Sequence, residues 1–506
     1  MRNLSLSQSP LAQSNTTGFL ALIILALFLS GKATRAVDLP DRPHIILVMA
    51  DDQGWAQTGY YDHPVLKTPN LDKMASRGIR FDRFYAGAPV CSPTRASVLT
   101  GRSNDRTGVE SHGYALRKQE TTLATILGSA GYATGHFGKW HLNGIRGPGV
   151  PILKEDSHGP GNFGFDHWTS VTNFFDMNPI LSRNGTFEPM TGDSSEITVK
   201  EAIQFIDDNY RTQPTLSVIW FGSPHDPAKA SKQDRQAFSH LDVKSQHHYG
   251  ELVAMDRSIG TLFSELSKRN LDQETLVWFC SDNGGLPRIN PSSVGPLRGN
   301  KGTIFEGGIR VPGIIHWPTA VEGSSRVTSY PASVLDIVPT ILEITGLTHP
   351  NPLLQLDGMS LLPVLQNKIT HRQEPIPFRH LQRSAWIDND YKLLHQNMGK
   401  GDFELYNLKE DPAEKHNLAS SQPQKLAQMI EAFEEWNRGV ELSVQGRDYP
   451  EGKLLPGDPE PRFWTDMDVY RHHFDEWKNR WEYASRLTPK PARKNSPTKT
   501  PNVKNP

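Results

Sequence analysis

Acidic and amide side chains follow two apolar runs of the sequence. One run ends in Asp51 and Asp52, and another ends in Asp282 and Asn283. Three carboxylates and one carboxamide oxygen form an all-oxygen set, which suits calcium or magnesium and is poor for zinc. Without a cation, the carboxylates would repel one another and raise each other's pKa. Taken singly, Asp-Asp and Asp-Asn-Gly-Gly are also ordinary turn sequences, so each alone favours a turn.

Basic side chains follow two further apolar runs. Lys139 and His141 are two positions apart, so an extended segment directs both side chains to the same face. His225 follows the other run, four residues after Phe221. A lone His or Lys at the end of a strand is more often a solvated or hydrogen-bonded side chain, so these residues need a further observation to become candidates for catalysis.

Cys91 precedes a predicted short helix. Ser92 suits the N-cap, Pro93 suits the first helical position, and Gly101 marks the end. Cys91 would then lie at the positive end of the helix, where free backbone N–H groups favour an anion. Arg95, about one turn further on, offers a fork of donors that could hold the carboxylates.

The chain has only two cysteines, Cys91 and Cys280. From the residues alone, Cys91 could therefore be a buried structural thiol or half of a disulfide with Cys280. So few cysteines in 506 residues exclude a disulfide scaffold, and the protein must be held together by its core.

Four near-continuous apolar runs predict strands that are buried on both faces, as in a parallel sheet. Helical spacing at 123–127 and 252–266 lies between them, which indicates alternating strands and helices and an α/β fold. In such folds ligands bind outside the carboxyl ends of the strands, so the polar clusters are expected to converge on one site. The four runs are 44–50, 132–138, 216–221 and 276–281.

Residues 91–102 read Cys-Ser-Pro-Thr-Arg-Ala-Ser-Val-Leu-Thr-Gly-Arg. They fit, at every fixed position, the signature Cys-x-Pro-x-Arg-x-x-x-Leu-Thr-Gly-Arg of the type I, formylglycine-dependent sulfatases of the alkaline phosphatase superfamily. The resemblance implies that Cys91 is oxidised during export to formylglycine (3-oxoalanine) by a formylglycine-generating or anaerobic maturation enzyme. The hydrate of this aldehyde would be the nucleophile, and a complete match favours this role over a structural thiol.

The same resemblance implies one divalent cation, with Ca²⁺ favoured over Mg²⁺. The implied ligands are Asp51, Asp52, Cys91 in its modified form, Asp282 and Asn283. The implied catalytic residues are Cys91, Arg95, Lys139, His141, His225 and Lys301.

Each basic residue takes a role from the resemblance. Lys139 would bind sulfate and bridge to the formylglycine, and His141 would act as the base on its second hydroxyl. His225 and Lys301 would contact the sulfate and the ester oxygen. His225 is the better candidate for general acid, because an alcohol leaves badly as an alkoxide and needs a proton. The loop 298–312 is similar to the lysine-bearing loop of the family.

The resemblance predicts a large, mixed, mostly parallel sheet sandwiched by helices, with a smaller C-terminal α+β subdomain on a short antiparallel sheet. The predicted segments are a signal peptide at 1–36, a catalytic domain at 37–375, a C-terminal subdomain at 376–486 and a disordered tail at 487–506. An apolar helical stripe from 426 to 436 is expected to end at Gly439. Residues 443–486 either cover the cleft or wrap the surface, and the surface wrap is favoured.

Charge and the start of the chain suggest where the protein acts. A net charge of −1 gives no basis for binding nucleic acid, so positive charge for an anionic substrate must be local to a pocket. Arg2 and the apolar run 19–29 resemble a signal peptide, with a retained N-terminal anchor as the alternative. We therefore expect a periplasmic or secreted protein, bacterial rather than lysosomal, with no stable membrane association after signal cleavage.

The implied function is hydrolysis of sulfate esters through a covalent sulfo-enzyme intermediate, with a sulfated carbohydrate as the favoured substrate. Two alternatives stay open. A phosphonate monoester or phosphodiester hydrolase of the same superfamily would use a similar site. A noncatalytic protein that binds sulfated glycans would result if Cys91 is never modified.

Overall fold

In the computed structural model, which describes residues 42–321 and 326–487, ten strands form one mixed sheet in the order β13-β2-β12-β10-β1-β9-β4-β6-β7-β8. Three smaller sheets have the strand orders β11-β3-β14, β15-β16-β17-β18 and β19-β5. The strands are β1 (His44–Ala50), β2 (Ile79–Phe81), β3 (Phe84–Tyr85), β4 (Ala133–Lys139), β5 (Ile145–Arg146), β6 (His167–Val171), β7 (Ile180–Arg183), β8 (Thr186–Pro189), β9 (Thr215–Trp220), β10 (Thr275–Ser281), β11 (Arg310–Val311), β12 (Gly313–His316), β13 (Arg326–Thr328), β14 (Ala332–Ser333), β15 (Ile376–His380), β16 (Arg383–Asp388), β17 (Tyr391–His395), β18 (Glu404–Asn407) and β19 (Arg462–Phe463).

The four predicted apolar runs are the centre of the large sheet. They form β1, β4, β9 and β10, which lie side by side with β6 as parallel neighbours in the order β10-β1-β9-β4-β6. Every residue of β4, β9 and β10 is buried, as the continuous apolar pattern predicts for a sheet that is covered on both faces. The prediction of a mostly parallel α/β sheet is confirmed.

Helices connect the strands and pack on the sheet. Leu252 and Ile259 on the longest connecting helix of this layer join Val48 and Phe137 of the strands in one buried apolar cluster. The helices are α1 (Pro69–Arg77), α2 (Cys91–Thr100), α3 (Leu123–Ser129), α4 (Ser194–Asn209), α5 (Lys232–Arg235), α6 (Val243–Lys268), α7 (Glu306–Ile309), α8 (Pro318–Val321), α9 (Ile337–Thr345), α10 (Leu362–Leu365), α11 (Pro423–Val444), α12 (Asp468–Arg471), α13 (Phe474–Trp477) and α14 (Trp481–Leu487). Both predicted helical patterns are confirmed, in α3 and α6.

The small antiparallel sheet β15-β16-β17-β18 forms the predicted C-terminal α+β unit together with α11. Met429 and Phe433 of α11 pack against Trp386 and Leu393 of this sheet. The prediction that α11 ends at Gly439 is wrong, because the helix continues to Val444. Gly439 lies within the helix beside Arg106, whose guanidinium nitrogen would be 3.4 Å from an added Cβ, an ordinary van der Waals distance. The domain limits at 375 and 376 stay a prediction.

Residues 462–487 lie near the C-terminal end of the described chain and pack against residues 145–153. Strand β19 pairs with β5, and Trp464, Tyr470 and Trp477 form a buried aromatic cluster with Ile145. Two tyrosine hydroxyls fix this packing, with Tyr470 Oη donating to Pro151 O at 2.9 Å and Tyr483 Oη donating to Gly149 O at 2.7 Å. The segment is therefore built into the fold beside the loop that follows β4.

The predicted signal peptide at 1–36 lies outside the described residues. The predicted tail at 487–506 also lies outside them, except for Leu487, which ends α14. Within 42–321 and 326–487, no helix combines the length and the apolar character that crossing a membrane requires.

The backbone conformation of Gly138 in β4 leads to a first prediction. Gly138 has a φ of +99°, and a Cβ there would lie 2.0 Å from the carbonyl oxygen of Trp220 on β9. We expect Gly138→Ala to lower the free energy of unfolding by about 1–3 kcal/mol from backbone strain alone, with the overlap adding to this. Thermal and denaturant unfolding would measure the loss.

The matched control is Gly128→Ala in α3, where the nearest atom to an added Cβ is Thr134 Cγ2 at 3.8 Å. That change should be neutral or stabilising by up to about 1 kcal/mol, because alanine has the higher helix propensity. Equal effects of the two substitutions would contradict the argument.

Candidate active site

The carboxyl ends of β1 and β10 place three carboxylates at one edge of the sheet. Ala50 pairs with Ser281 at the last position of both strands, so Asp51, Asp52 and Asp282 emerge side by side. All three side chains are fully buried. The backbone N–H of Asp52 donates to Asp282 Oδ1 at 3.1 Å, and Asn283 Nδ2 donates to Asp52 Oδ1 at 2.7 Å. The predicted convergence of the two acidic clusters is present.

Three cationic side chains compensate these carboxylates. Lys139 Nζ, at the end of β4, donates to Asp51 Oδ2 at 2.6 Å. Lys301 Nζ lies 2.6 Å from Asp52 Oδ1 and 2.7 Å from Asp52 Oδ2. Arg95 Nη2 donates to Asp282 Oδ2 at 2.7 Å. Although burial opposes the charged form of Lys301, the Asp52 carboxylate raises the pKa of this lysine above its ordinary range.

Helix α2 positions Cys91 and Arg95. The helix begins at Cys91 with Val90 as its N-cap, so the prediction that Ser92 caps it is wrong. Ser92 Oγ instead accepts the backbone N–H of Gly113 at 2.8 Å, which ties the helix start to another loop. The helix ends as predicted, at Gly101 with a φ of +69°. Cys91 thus lies in the first turn, at the positive end of the helix.

The loop that carries Lys301 is held between two other parts of the site. Lys301 N donates to Gly285 O at 3.0 Å, in the segment that follows β10. Gly302 N donates to Pro89 O at 2.8 Å, just before Cys91. These backbone bonds fix the lysine beside both the carboxylates and the start of α2.

Three histidines lie at the same cavity, of which the sequence indicated two. Burial, together with Lys139, lowers the pKa of His141 well below its ordinary value, and neither ring nitrogen has a hydrogen-bond partner among the described residues. Burial, together with Lys301, lowers the pKa of His225 well below its ordinary value, with Asp52 opposing this. His225 Nε2 is 3.8 Å from Asp52 Oδ2, and its ring stacks on Phe174 at 4.6 Å. His112 is the third, and burial lowers its pKa as well.

Both cysteines are free and buried, so the disulfide between Cys91 and Cys280 is excluded. Burial raises the pKa of the Cys91 thiol to about 11, although Lys139 and Lys301 oppose the shift. An unmodified thiol is therefore protonated at neutral pH and is a poor nucleophile.

The donor set suits a hard divalent cation. Potential ligand atoms of Asp51, Asp52, Cys91 and His225 all lie within 4.8 Å of one another. Asp51 Oδ1 and Asn283 Oδ1 are buried and accept no hydrogen bond from the described residues, so two oxygen ligands are available. Both Asp282 oxygens accept hydrogen bonds, from Asp52 and Arg95. The structure thus brings the predicted ligands together and adds His225 beside them.

The cluster lies at the wall of a cavity of about 700 Å³. Cys91, His141, His225 and Lys301 line it, whereas Arg95 and Lys139 lie beneath the surface. The sequence missed several other residues of the lining because no motif marks them: His112, Asn173, Phe174, Phe463, Trp481, Glu482 and Arg486. Part of the segment 443–486, which was expected to wrap the surface, therefore lines the cleft. Another cavity, of about 620 Å³, contains none of the predicted site residues.

Comparisons with known proteins agree with this geometry. The family described as Sulfatase matches residues 43–347, and the family described as N-sulphoglucosamine sulphohydrolase, C-terminal, matches residues 299–437. N-acetylgalactosamine-6-sulfatase of Canis lupus familiaris is 32% identical over 383 residues, covering 69% of this chain and 71% of the relative. Arylsulfatase A of Homo sapiens is 33% identical over 372 residues, covering 67% of this chain and 70% of the relative.

Among solved structures, Ps i-CgsB in complex with k-i-k-neocarrahexaose superposes with a TM-score of 0.70 at 26% identity. The match covers 88% of this chain and 100% of that protein. Four observations lead to the same family: the signature at the start of α2, the charged residues at the strand ends, the family matches and the similar fold. The chain belongs to the sulfatase family and is a sulfatase of the alkaline phosphatase superfamily.

Proposed function

We propose that this sulfatase cleaves sulfate esters of a carbohydrate with a formylglycine that is made from Cys91. One observation carries the proposal: Cys91 begins a buried helix at the cavity wall, with ligand atoms of Asp51, Asp52 and His225 within 4.8 Å of its Sγ. The raised pKa of the thiol makes sulfur an unsuitable nucleophile there. An aldehyde hydrate at the same position would present two hydroxyls to the same neighbours.

Asp51, Asp52, Asp282 and Asn283 would hold the divalent cation, with residue 91 completing the set. We favour calcium over magnesium because five protein residues would supply ligands, whereas magnesium usually keeps several waters and binds only one or two carboxylates. When bound, the cation would polarise the sulfate group and favour the ionised form of a nearby hydroxyl. Arg95, Lys139 and Lys301 already balance the three carboxylates, so a bound cation makes the site net positive and attractive to an anionic ester.

In the first half-reaction, one hydroxyl of the hydrate gives its proton to Asp282, and its oxygen attacks the ester sulfur. The S–O bond to the alcohol breaks, and His225 donates a proton to the departing oxygen. Burial, and after it Lys301, lowers the pKa of this histidine, whereas the Asp52 carboxylate raises it. A bound anionic ester adds negative charge beside the ring and favours proton uptake.

In the second half-reaction, His141 removes the proton from the remaining hydroxyl. The C–O bond to the sulfate group then breaks, which restores the aldehyde and releases sulfate, and water rehydrates the aldehyde. The lowered pKa of His141 keeps the imidazole neutral at neutral pH, as a base requires. Its two ring nitrogens have no partner among the described residues, so one is available for the proton.

A sulfated carbohydrate is the proposed substrate class. Relatives that are named for N-acetylgalactosamine 6-sulfate, and a similar structure in complex with a neocarrahexaose, support this class. The proposal includes a maturation enzyme that oxidises Cys91 and export through the N-terminal segment, which the apolar run at 19–29 supports.

Cys91→Ser tests the nucleophile. A serine hydroxyl could accept the sulfo group but has no second hydroxyl on the same carbon to expel it. We expect the variant to become labelled once by an aryl sulfate and to lose nearly all steady-state turnover. Intact-protein mass spectrometry and sulfate release would measure the two effects, and full turnover would refute the mechanism.

The matured wild-type protein provides the companion measurement. Mass spectrometry of the peptide that contains Cys91 should find the aldehyde, and the protein should hydrolyse an aryl sulfate faster than the corresponding aryl phosphonate. A faster phosphonate reaction would favour the alternative hydrolase, and a native peptide that keeps its thiol would favour a sulfated-glycan binder.

His225→Asn tests the general acid. We expect kcat/KM on an alkyl or sugar sulfate to fall by about 10²- to 10⁴-fold, because a poor leaving group needs the proton. The loss on nitrophenyl sulfate should be much smaller, since nitrophenolate leaves without one. His141→Asn is the matched control, because its defect lies after the alcohol has left and should be independent of the leaving group. If the activity losses of the two variants depended on the leaving group in the same way, the assignment of His225 as general acid would be contradicted.

Calcium should stabilise the protein more at pH 7.5 than at pH 5. Burial, with Asp51, raises the pKa of Asp282 from 3.8 to about 6 in the cation-free site. This group therefore stabilises the cation-free fold fully below pH 3.8, and that contribution is lost as the pH rises through about 6. Calcium needs the deprotonated ligand, so the increase in melting temperature on adding it should grow over this range. Asp282→Asn should flatten the dependence, and an equal calcium effect at both pH values would contradict it.

A further inference from the structure

The geometry points to a second anion-binding subsite, built by Arg146 and Arg486, in the same cavity as Cys91. It would take another oxyanion of the sugar substrate, either a second sulfate or a carboxylate, while the scissile sulfate lies at residue 91. This inference rests on the proposed function, because it concerns the substrate of the same site. The subsite would make the protein selective for saccharides that carry more than one negative charge.

The two arginines are brought together by the short sheet of β5 and β19. Arg146 and Phe463 are register partners in this parallel pair, in which neighbouring strands lie about 4.8 Å apart. The guanidinium of Arg486, on α14, lies 4.4 Å from the centre of the Phe463 ring. Both arginines line the cavity that also contains Cys91 and His225. The guanidinium of Arg146 lies 5.7 Å from the centre of the Tyr114 ring, so each arginine packs on an aromatic side chain.

The charge balance of the cavity leaves these two arginines uncompensated. Neither forms an ion pair with any residue in 42–321 or 326–487, and Arg146 Nε is buried without a hydrogen-bond partner there. The two acidic residues of the cavity wall are each paired with a cation outside it. Asp226 lies 3.4 Å from Lys244, and Glu482 lies 2.5 Å from Arg480. The wall thus carries a positive charge that a bound oxyanion would balance.

Besides the two arginines, Lys301 also lines the cavity. Unlike them, it forms an ion pair, with Asp52. His112 lies near Arg146, and burial, with that arginine, lowers the pKa of His112, so the two arginines rather than this ring supply the positive charge at neutral pH. Free guanidinium groups are well suited to the task, because their planar fork of donors matches both sulfate and carboxylate oxygens.

Aromatic side chains beside the arginines give the subsite a sugar-sized wall. Phe463 and Trp481 line the cavity, and Trp481 Nε1 is buried without a partner among the described residues. Apolar faces with a few polar groups are the usual lining of a small-molecule site. Residues 462–487 follow the last position of both family matches, which end at 347 and 437. Arg486, Phe463 and Trp481 therefore lie outside the matched family regions, whereas Arg146 lies inside the first of them.

Binding on a Cys91→Ala background tests the inference without turnover. The probes are three disaccharides of N-acetylgalactosamine 6-sulfate, joined to galactose, to sulfated galactose or to glucuronate, each titrated calorimetrically in the presence of calcium. We expect the two-anion probes to bind about tenfold more tightly than the one-anion probe, and this preference to weaken as salt is raised. The probe with the larger preference identifies sulfate or carboxylate as the second group.

Arg486→Gln and Arg146→Gln should each reduce the preference to about twofold or less. Arg486 is exposed on the last helix of the described chain, so its replacement carries little risk to folding. Arg462→Gln is the matched control, because Arg462 lies on the same strand as Phe463, is exposed and does not line the cavity. An undiminished preference in both variants, or none in the parent, overturns the subsite. Failure of the proposed function is separable, since it would show as absent sulfate release by the matured wild-type protein.

Discussion

Three carboxylates buried at the ends of two adjacent strands impose the main constraint on this molecule. A buried carboxylate without a partner costs several kcal/mol, so each of Asp51, Asp52 and Asp282 requires positive charge within hydrogen-bonding distance. That charge comes from a helix through Arg95, from a neighbouring strand through Lys139 and from a loop through Lys301. The ion pairs therefore hold three separate elements around the sheet edge, and the same contacts that neutralise the carboxylates position the site.

The balance of three negative and three positive side chains also bears on the chemistry. A protein that only needed stability could replace such a cluster with apolar residues at little cost, because burying charges offsets most of their attraction. Retaining both signs leaves carboxylate and amide oxygens that the proposed cation would need, and it keeps one lysine, Lys301, at the cavity wall. Asp51 Oδ1 and Asn283 Oδ1, which are buried without partners among the described residues, are the atoms where this capacity is visible.

The centre of the fold and most of the site were predictable from the sequence because their signals are local. A strand buried on both faces reads as an unbroken apolar run, so β1 matches its predicted limits and β10 begins within one residue of them. The rule that ligands bind beyond the carboxyl ends of parallel strands then brings Lys139 to the acidic residues. Predictions from local sequence patterns were wrong where contacts with distant parts of the chain determine the structure. Ser92 has the chemistry of an N-cap, yet its hydroxyl accepts a hydrogen bond from Gly113, which no sequence pattern announces.

The part of the cleft wall that residues 462–487 form was not predictable from the sequence, for a physical reason. Residues 462–487 owe their position to contacts with residues about 300 positions earlier, such as the bond from Tyr470 to Pro151. Their aromatic and charged residues show no regular period, because the segment consists of a two-residue strand and short helices whose side chains pack in several directions. The three carboxylates and Lys139 instead lie at the ends of long buried strands. Such a division separates residues 462–487 from the charges at the sheet edge, so substitutions in this segment are expected to alter substrate binding without disturbing those charges.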